Sequence, residues 1–378
     1  MLNLAVESDR PAAFAAAGER AASRASWIEI DISAIRHNLR LVRSLAGGAR
    51  VYAVCKGSAY GIGAGLAARL AAEEGIDALA CGDPDDAREV RAAGVDLPIL
   101  LYSTTSAEAL PLLAPLDVMV TVHDPATLAM AIEHDLAFQV ELDSGLHRLG
   151  FGEDNLDLLL AAARAHPAAR VCGVYTHLTD LDIVASVTTQ TMRFEAMASR
   201  LAAAGWRCER MVASSRVLLR WPSLSFEAVN PGRLVFGLLE EPFDREVDCR
   251  PVLAAVKARV IALQDVACAA TDALGAPTPS RQRIAVIPYG FSDGYPRLPA
   301  GGTVLVRGKR CPIIGQRHSE HSMIDVTAVD DVAVGDEVVL LGSQGRERID
   351  MHELAAATGV PSIELIPRLA ANARRVLL

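Results

Sequence analysis

Val51-Tyr52-Ala53-Val54-Cys55-Lys56-Gly57-Ser58-Ala59-Tyr60-Gly61-Ile62-Gly63 begins as a short apolar run, ends that run on a lysine, and turns through glycines into the helix-period stretch Gly63–Glu74. It reads as a strand that delivers one amine to a loop. An amine fixed at a strand end can condense with an aldehyde as a Schiff base. Loop N–H groups and a tyrosine hydroxyl, here that of Tyr60, can hold a phosphate beside it. Pyridoxal 5'-phosphate (PLP) carries both handles. An ordinary solvated strand end has the same pattern, so other segments must decide between the two.

The unit recurs along the chain as an apolar or β-branched run, a polar turn, and a stretch of helical period rich in Ala, Leu, Glu and Arg. Strands are expected at Val51–Cys55, Ala78–Cys81, Pro98–Tyr102, Asp117–Val122, Ala137–Leu142, Val171–Tyr175, Arg210–Ala213 and Phe226–Val229, and helices at Gly63–Glu74, Pro84–Ala93, Pro125–Glu133, Asn155–His166 and Thr188–Ala204. About eight βα repeats in succession satisfy a closed (β/α)8 TIM-type barrel. They satisfy an open doubly wound sheet as well, because sequence does not show closure.

Past about residue 240 the texture changes to β-type runs punctuated by Gly and Pro, which reads as a mostly antiparallel β domain. Its strands are expected at Ala255–Leu263, Arg283–Tyr289, Gly302–Val306 and Val332–Leu341. The alternating Trp27-Ile28-Glu29-Ile30-Asp31 precedes the first helix, Ser33–Leu45, and is a candidate to pair with that second domain. This α/β chain therefore divides into an N-terminal extension (1–26), a barrel carrying the candidate PLP lysine (27–245) and a C-terminal β domain (246–378).

Of the 378 residues, 51% are hydrophobic and only 4% aromatic, so the core must be built from Ala, Val, Leu and Ile. A net charge of −9, with no basic stripe interleaved with aromatics, argues against nucleic acid. The seven cysteines (Cys55, Cys81, Cys172, Cys208, Cys249, Cys268, Cys311) are scattered and contain no CxxC pair, which suits reduced thiols in a cytoplasmic protein. No run is long enough for a membrane span, and Glu7, Asp9 and Glu19 argue against a mitochondrial targeting peptide.

Barrels place their chemistry just past the C-terminal ends of the strands. At those positions stand Lys56 and Tyr60; Asp143, His147 and Arg148; His177; Ser214 and Ser215; and Asn230-Pro231-Gly232-Arg233. Ser214 is also a candidate cap for the helix that follows it.

From about Trp27 onward the chain resembles the alanine racemase family. The resemblance rests on WIEIDISAIRHN, AVCKGSAYGIG, VELDSGLHRLGF, VYTHL, NPGRLVFG, IPYGFSDGYPR, and VLVRGKRCPIIGQ followed by MIDVT, all in the family's order. It implies that Lys56 holds PLP and works as acid and base on one face. Tyr60, Ser215 and the backbone of Gly232 and Arg233 would hold the phosphate, His177 would pack on the pyridine ring, and Arg148 would orient a cofactor oxygen or the substrate carboxylate. It also implies a head-to-tail homodimer.

The departures from the family gather around one pocket. The family's second proton carrier is a tyrosine in G-Y-x-D-G, and here that segment reads Gly290-Phe291-Ser292-Asp293-Gly294. Asn230 stands where the family has an arginine beside the pyridine nitrogen, and Glu141 where it has a carbamylated lysine. Ser319-Glu320 replaces Met-Asp within Arg317-His318-Ser319-Glu320-His321, and no tyrosine follows Tyr295 to contact the phosphate. Tyr289, His318, Glu320 and His321 are the candidates to replace the missing proton carrier, the last three being alternatively substrate contacts, metal ligands or solvated loop residues; solvated loop residues are favoured over a metal site.

Two functions compete. One is a PLP-dependent racemase of a small or polar amino acid. The other is a one-face PLP enzyme (a decarboxylase, aldolase or transaminase) in which Phe291 marks the loss of racemisation. A non-catalytic PLP carrier is less attractive, because simpler PLP carriers resemble the barrel alone.

Overall fold

The structure, a computed structural model, describes residues 25–102, 106–239, 247–271, 277–296, 302–315, 318–371 and 373–378. The N-terminal extension expected at 1–26 falls almost wholly outside these. Strand β1 (Ser26–Ile30) and helix α1 (Ile32–Ala46) come first. Eight short parallel strands then close into a barrel: β2 (Arg50–Val54), β3 (Ala78–Cys81), β4 (Ile99–Leu101), β5 (Val118–Val122), β6 (Phe138–Glu141), β7 (Val171–Tyr175), β8 (Glu209–Ala213) and β9 (Ala228–Val229). Closure is made by β9 pairing back onto β2, Arg50 with Ala228 and Val51 with Val229. That settles barrel over open sheet.

The barrel is filled, not hollow. Tyr52, Val54, Ala78, Ala80, Leu100, Met119, Tyr175, Met211 and Ala228 pack inside it, with the small side chains of β3 leaving room for the large ones of β2 and β7. Helices cover the outside, and two of them start from the same signal. Asp83 accepts from the N–H groups of Asp85 and Asp86 ahead of Pro84, and Asp124 forms a capping box with Thr127 ahead of Pro125. Each such cap stabilises its helix by about 1 kcal/mol. The helix expected from Thr188 starts a turn earlier, at Val184.

Residues Ser33–Pro251 form one compact unit; Val252–Leu378, with the N-terminal stretch through Ile32, form the other. The second is built on a mostly antiparallel sheet containing β10 (Leu253–Arg259), β11 (Ala262–Thr271), β12 (Pro277–Ile287), β13 (Thr303–Val306), β14 (Lys309–Ile314), β15 (Ser322–Asp325), β16 (Glu337–Gln344), β17 (Glu347–Ile349) and β18 (Arg374–Leu377). β1 joins this sheet, antiparallel to β10 and parallel to β18.

The run expected as one strand over Ala255–Leu263 is two, because the chain changes partners at Val260-Ile261, leaving β16 and β1 for β12. The strand expected from Val332 starts only at Glu337, since residues 333–336 close a turn through Ala333 N–H to the Asp336 carboxylate. Two helices in this unit, Met351–Thr358 and Ser362–Ala370, lie in sequence that β-type runs did not flag. No helix among the described residues is long and apolar enough to cross a membrane.

Candidate active site

Lys56 leaves the C-terminal end of β2 and enters a turn of unusual hand. Gly57, Ser58, Ala59 and Tyr60 all have φ between 50° and 63°, so four consecutive residues wind left-handed. Three of them carry a Cβ, at a cost of about 1–2 kcal/mol each. The turn is braced from the next βα unit. Asp86 Oδ2 accepts from Gly57 N–H (3.0 Å) and Gly82 N–H (2.9 Å), its Oδ1 accepts from Ser58 N–H (2.7 Å), and Glu89 accepts from Ser58 Oγ (3.0 Å) and Gly65 N–H (3.2 Å).

The turn therefore presents Lys56 at its start and Tyr60 at its end. The Tyr60 ring packs on Phe236 at 5.3 Å between centroids, and burial pushes its phenol up to about 12, so the hydroxyl keeps its proton at neutral pH. Opposite it, Ser215 Oγ accepts from the N–H groups of Gly232 (3.0 Å) and Leu234 (3.1 Å), tying the start of helix Ser215–Arg220 to the loop after β9. A Cβ added to Gly232 would lie 2.5 Å from the Tyr60 hydroxyl oxygen and 3.1 Å from Val54 Cβ. Only glycine leaves that cradle open. Ser214, the alternative cap, occupies the N-cap position without a side-chain bond.

Three cations and an imidazole share the barrel mouth. Lys56 is exposed as a residue, yet the surrounding protein desolvates its amine and, with the positive charges of Arg148 and Arg233, holds its pKa below the usual lysine range. Desolvation, Arg148, Lys56 and Arg233 together lower His177 to about 4, leaving a neutral ring. Arg148 rides a loop that folds back on β6 through Asp143 N–H to Phe151 O and Phe151 N–H to Glu141 O, both 2.9 Å. Its guanidinium lies 3.7 Å from Glu141, which is buried and also accepts from the Tyr175 hydroxyl at 3.1 Å. Burial raises the Glu141 pKa while Arg148 and Tyr175 oppose the rise. His147, from the same loop, is solvent-facing and paired to Asp143.

Asn230, 8% exposed, donates to the Tyr102 hydroxyl at 2.8 Å, while its Oδ1 is buried with no partner. A buried amide oxygen left without a donor is costly, and a ligand N–H at this position would satisfy it.

The remaining candidates lie in the β unit and separate sharply. Tyr289 is fully buried, its hydroxyl donating to Leu369 O at 3.2 Å and its ring packed edge-on to Tyr295. A residue with no exposed surface cannot offer a proton to a substrate. Tyr289 is therefore a core residue, correcting the expectation that it replaces the missing tyrosine. Phe291, 44% exposed, sits on a loop laced to a second one by Phe291 N–H to His318 O and Ser292 N–H to Ser319 O. That second loop exposes His318, Glu320 and His321. The two loops form one surface.

The family model for the alanine racemase N-terminal domain matches residues 30–240, and that for the C-terminal domain matches 253–377. The chain belongs to the alanine racemase family. An alanine racemase of Syntrophobacter fumaroxidans is 34% identical over 363 residues, covering 92% of this chain and 96% of that protein. One from Methanococcus maripaludis is 29% identical over 368 residues, covering 93% and 98%. Among solved structures, alanine racemase from Streptomyces lavendulae superposes with a TM-score of 0.82 at 28% identity, over 94% of this chain and 97% of that one. The Bacillus anthracis alanine racemase with bound L-Ala-P does so with 0.84 at 28%, over 94% and 95%. Racemase-family architecture thus spans both units.

In this alanine racemase family member, Tyr102, Tyr175 and Asp86 are site-shaping residues that motif reading passed over. The two tyrosines had a legible signal, since each stands at or just past the end of a barrel strand. Asp86 looked like an ordinary acidic residue in the first turn of a helix.

The His177 environment has a consequence for stability. An unfolded histidine takes its proton near pH 6.5 and the folded one near 4, so the unfolded chain binds more protons between those values. The contribution is complete above pH 6.5 and is lost as pH falls toward 4. Melting of the ligand-free protein across that range should fall more steeply with acid for the wild type than for His177→Gln; parallel curves would contradict the assigned environment.

Proposed function

We propose that this chain is a PLP-dependent amino-acid racemase acting on alanine or another small or polar amino acid, with Lys56 holding the cofactor. The observation that carries the proposal is the barrel mouth itself: an amine held below its usual pKa beside Arg148, Arg233 and a neutral His177, next to the cradle made by Tyr60, Ser215 and Gly232. Those residues fit PLP. The cradle is open where a phosphate would lie, and the partnerless Asn230 Oδ1 offers an acceptor suited to a ring N–H. Family membership over both units favours racemisation over decarboxylation, aldol cleavage or transamination.

When bound, PLP supplies the electron sink that makes the Cα proton of an amino acid removable. The protein's residues supply everything else. Lys56 Nζ, whose pKa desolvation and the neighbouring cations hold below the usual lysine range, takes and returns a proton on one face of Cα. Arg148, oriented by the buried Glu141, holds a carboxylate or the cofactor's ring oxygen. The Tyr60 and Ser215 hydroxyls and the backbone of Gly232 and Arg233 would hold the cofactor's phosphate. His177, its imidazole neutral, would pack on the pyridine ring.

The opposite face needs a second carrier that Phe291 cannot provide. We assign it to His318, Glu320 and His321, whose loop is laced to that of Phe291, and we propose a head-to-tail homodimer in which these loops complete the barrel site of the other copy. A reducing cytoplasm suits the free thiols among the described residues, of which Cys55 is buried with its pKa pushed up to about 12.

Incubating the protein with PLP and L-alanine in heavy water, followed by proton NMR and chiral analysis, tests the reaction. Deuterated D-alanine is expected. Deuterium with retained configuration, or release of an amine or keto acid, would overturn racemisation. Gly232→Ala is a second expected result: the added methyl must displace the Tyr60 hydroxyl, so PLP affinity measured by absorbance titration should fall about tenfold, with the fold intact.

A further inference from the structure

We propose that Asp86 is a positioning residue for the cofactor lysine, because it holds the left-handed turn that aims Lys56 and Tyr60 at a common ligand. The inference rests on the reading of Lys56 given above and deepens it. The Asp86 carboxylate accepts only backbone N–H groups of Gly57, Ser58 and Gly82 among the described residues, not the Lys56 amine or the Tyr60 hydroxyl. It acts through backbone.

Asp86, 5% exposed, gathers three N–H groups from two segments: Gly57 and Ser58 from the turn, and Gly82 from the end of β3. Gly57 and Ser58 directly follow Lys56, so the carboxylate fixes the peptide units that set where the lysine's Cα points. The packing leaves no slack. A Cβ at Gly82 would lie 3.1 Å from both Asp86 Oδ2 and Lys56 Cβ, so carboxylate and lysine stem close on the same bare backbone position. Asp86 is itself anchored, since its N–H donates to Asp83 Oδ1 at 3.0 Å, and Glu89 one turn on holds Ser58 Oγ and Gly65 N–H.

The residues in between are poor choices for such a turn by themselves. Ser58, Ala59 and Tyr60 would relax to right-handed or extended backbone if the carboxylate let go, swinging Tyr60 away from Gly232 and Lys56 toward bulk water. Asparagine at position 86 keeps the size but turns one acceptor into a donor facing an N–H. Glycine at position 58, by contrast, adopts positive φ without a Cβ penalty. Ser58→Gly gives up the Ser58 Oγ bond to Glu89 but removes the Cβ strain that the Asp86 carboxylate otherwise holds in check.

The experiment compares wild type, Asp86→Asn and Asp86→Asn/Ser58→Gly as purified proteins without cofactor, titrated with PLP. It reads dissociation constant, the pH midpoint of PLP condensation with the lysine by visible absorbance, and thermal melting. For Asp86→Asn we expect affinity weaker by roughly ten- to a hundredfold and a condensation midpoint moved toward that of an ordinary solvated lysine. The double variant should recover most of both. A role confined to stability would lower the melting temperature while leaving the midpoint of the folded fraction unchanged, and that result would overturn the proposal. So would a double variant that folds yet binds PLP no better than Asp86→Asn. If Asp86→Asn does not fold, the double variant alone decides, with binding within about tenfold of wild type expected and no binding contradictory. Wild type that fails to condense with PLP at Lys56 would instead remove the functional reading beneath the inference, an outcome the wild-type titration reports separately.

Discussion

Lys56→Ala is expected to reduce racemisation by about four orders of magnitude or more and to abolish covalent retention of PLP. The size follows from two jobs held by one atom. Lys56 Nζ is proposed both to fix the cofactor at the mouth of the barrel and to carry the proton on one face of Cα. Its lowered pKa serves both, since a protonated amine is neither nucleophile nor base. Arg148 and Arg233 help hold that pKa down but cannot replace the amine, because a guanidinium keeps its proton at any working pH. The measurement is steady-state conversion of L- to D-alanine with saturating PLP, beside an absorbance spectrum of the desalted protein. Retention of more than about one hundredth of wild-type turnover would show that another group carries the proton.

The second large effect concerns the other face. The double variant His318→Gln/His321→Gln is expected to lose two to four orders of magnitude in racemisation, the usual worth of a positioned acid or base. Cα exchange into heavy water with retained configuration should persist, because Lys56 still works on its own side. Adding Phe291→Tyr to the double variant should restore racemisation in part. Phe291 is exposed on the loop bonded to His318, so a hydroxyl there would stand on the same surface as the imidazoles it replaces. Unchanged turnover in the double variant would exclude both imidazoles and leave Glu320 as the carrier. Loss without rescue by tyrosine would contradict the idea that position 291 and the histidine loop serve one function.

Much of the barrel was legible because alternation of apolar runs with helix-period stretches is written locally. Ala78–Cys81, Val171–Tyr175 and Pro125–Glu133 agree with expectation to the residue, since polar turns bound them on both sides. The β unit was less legible. Its long run over Ala255–Leu263 breaks where the strand exchanges partners, a long-range event with no local signature, and the helix Met351–Thr358 depends on an Asp350 cap within a β-rich context.

The site divides the same way. Strand-end position pointed to Lys56, His177, Ser215 and Asn230, whereas the brace on Lys56 comes from a different βα unit and is visible only once β2 and β3 are paired. Tyr289 misled for the opposite reason. Period-2 alternation placed it on the face of Phe291, but the chain leaves β12 at Ile287 and turns at Gly290, so the two side chains part into core and solvent.

The most direct test of the account is borohydride reduction of the protein with PLP, followed by proteolysis and mass mapping of the pyridoxyl group. Lys56, within Ala53–Tyr60, should carry the label in one-to-one amount. A label on any other lysine, or a protein that retains none, would contradict the claim that this barrel is a PLP site built on Lys56.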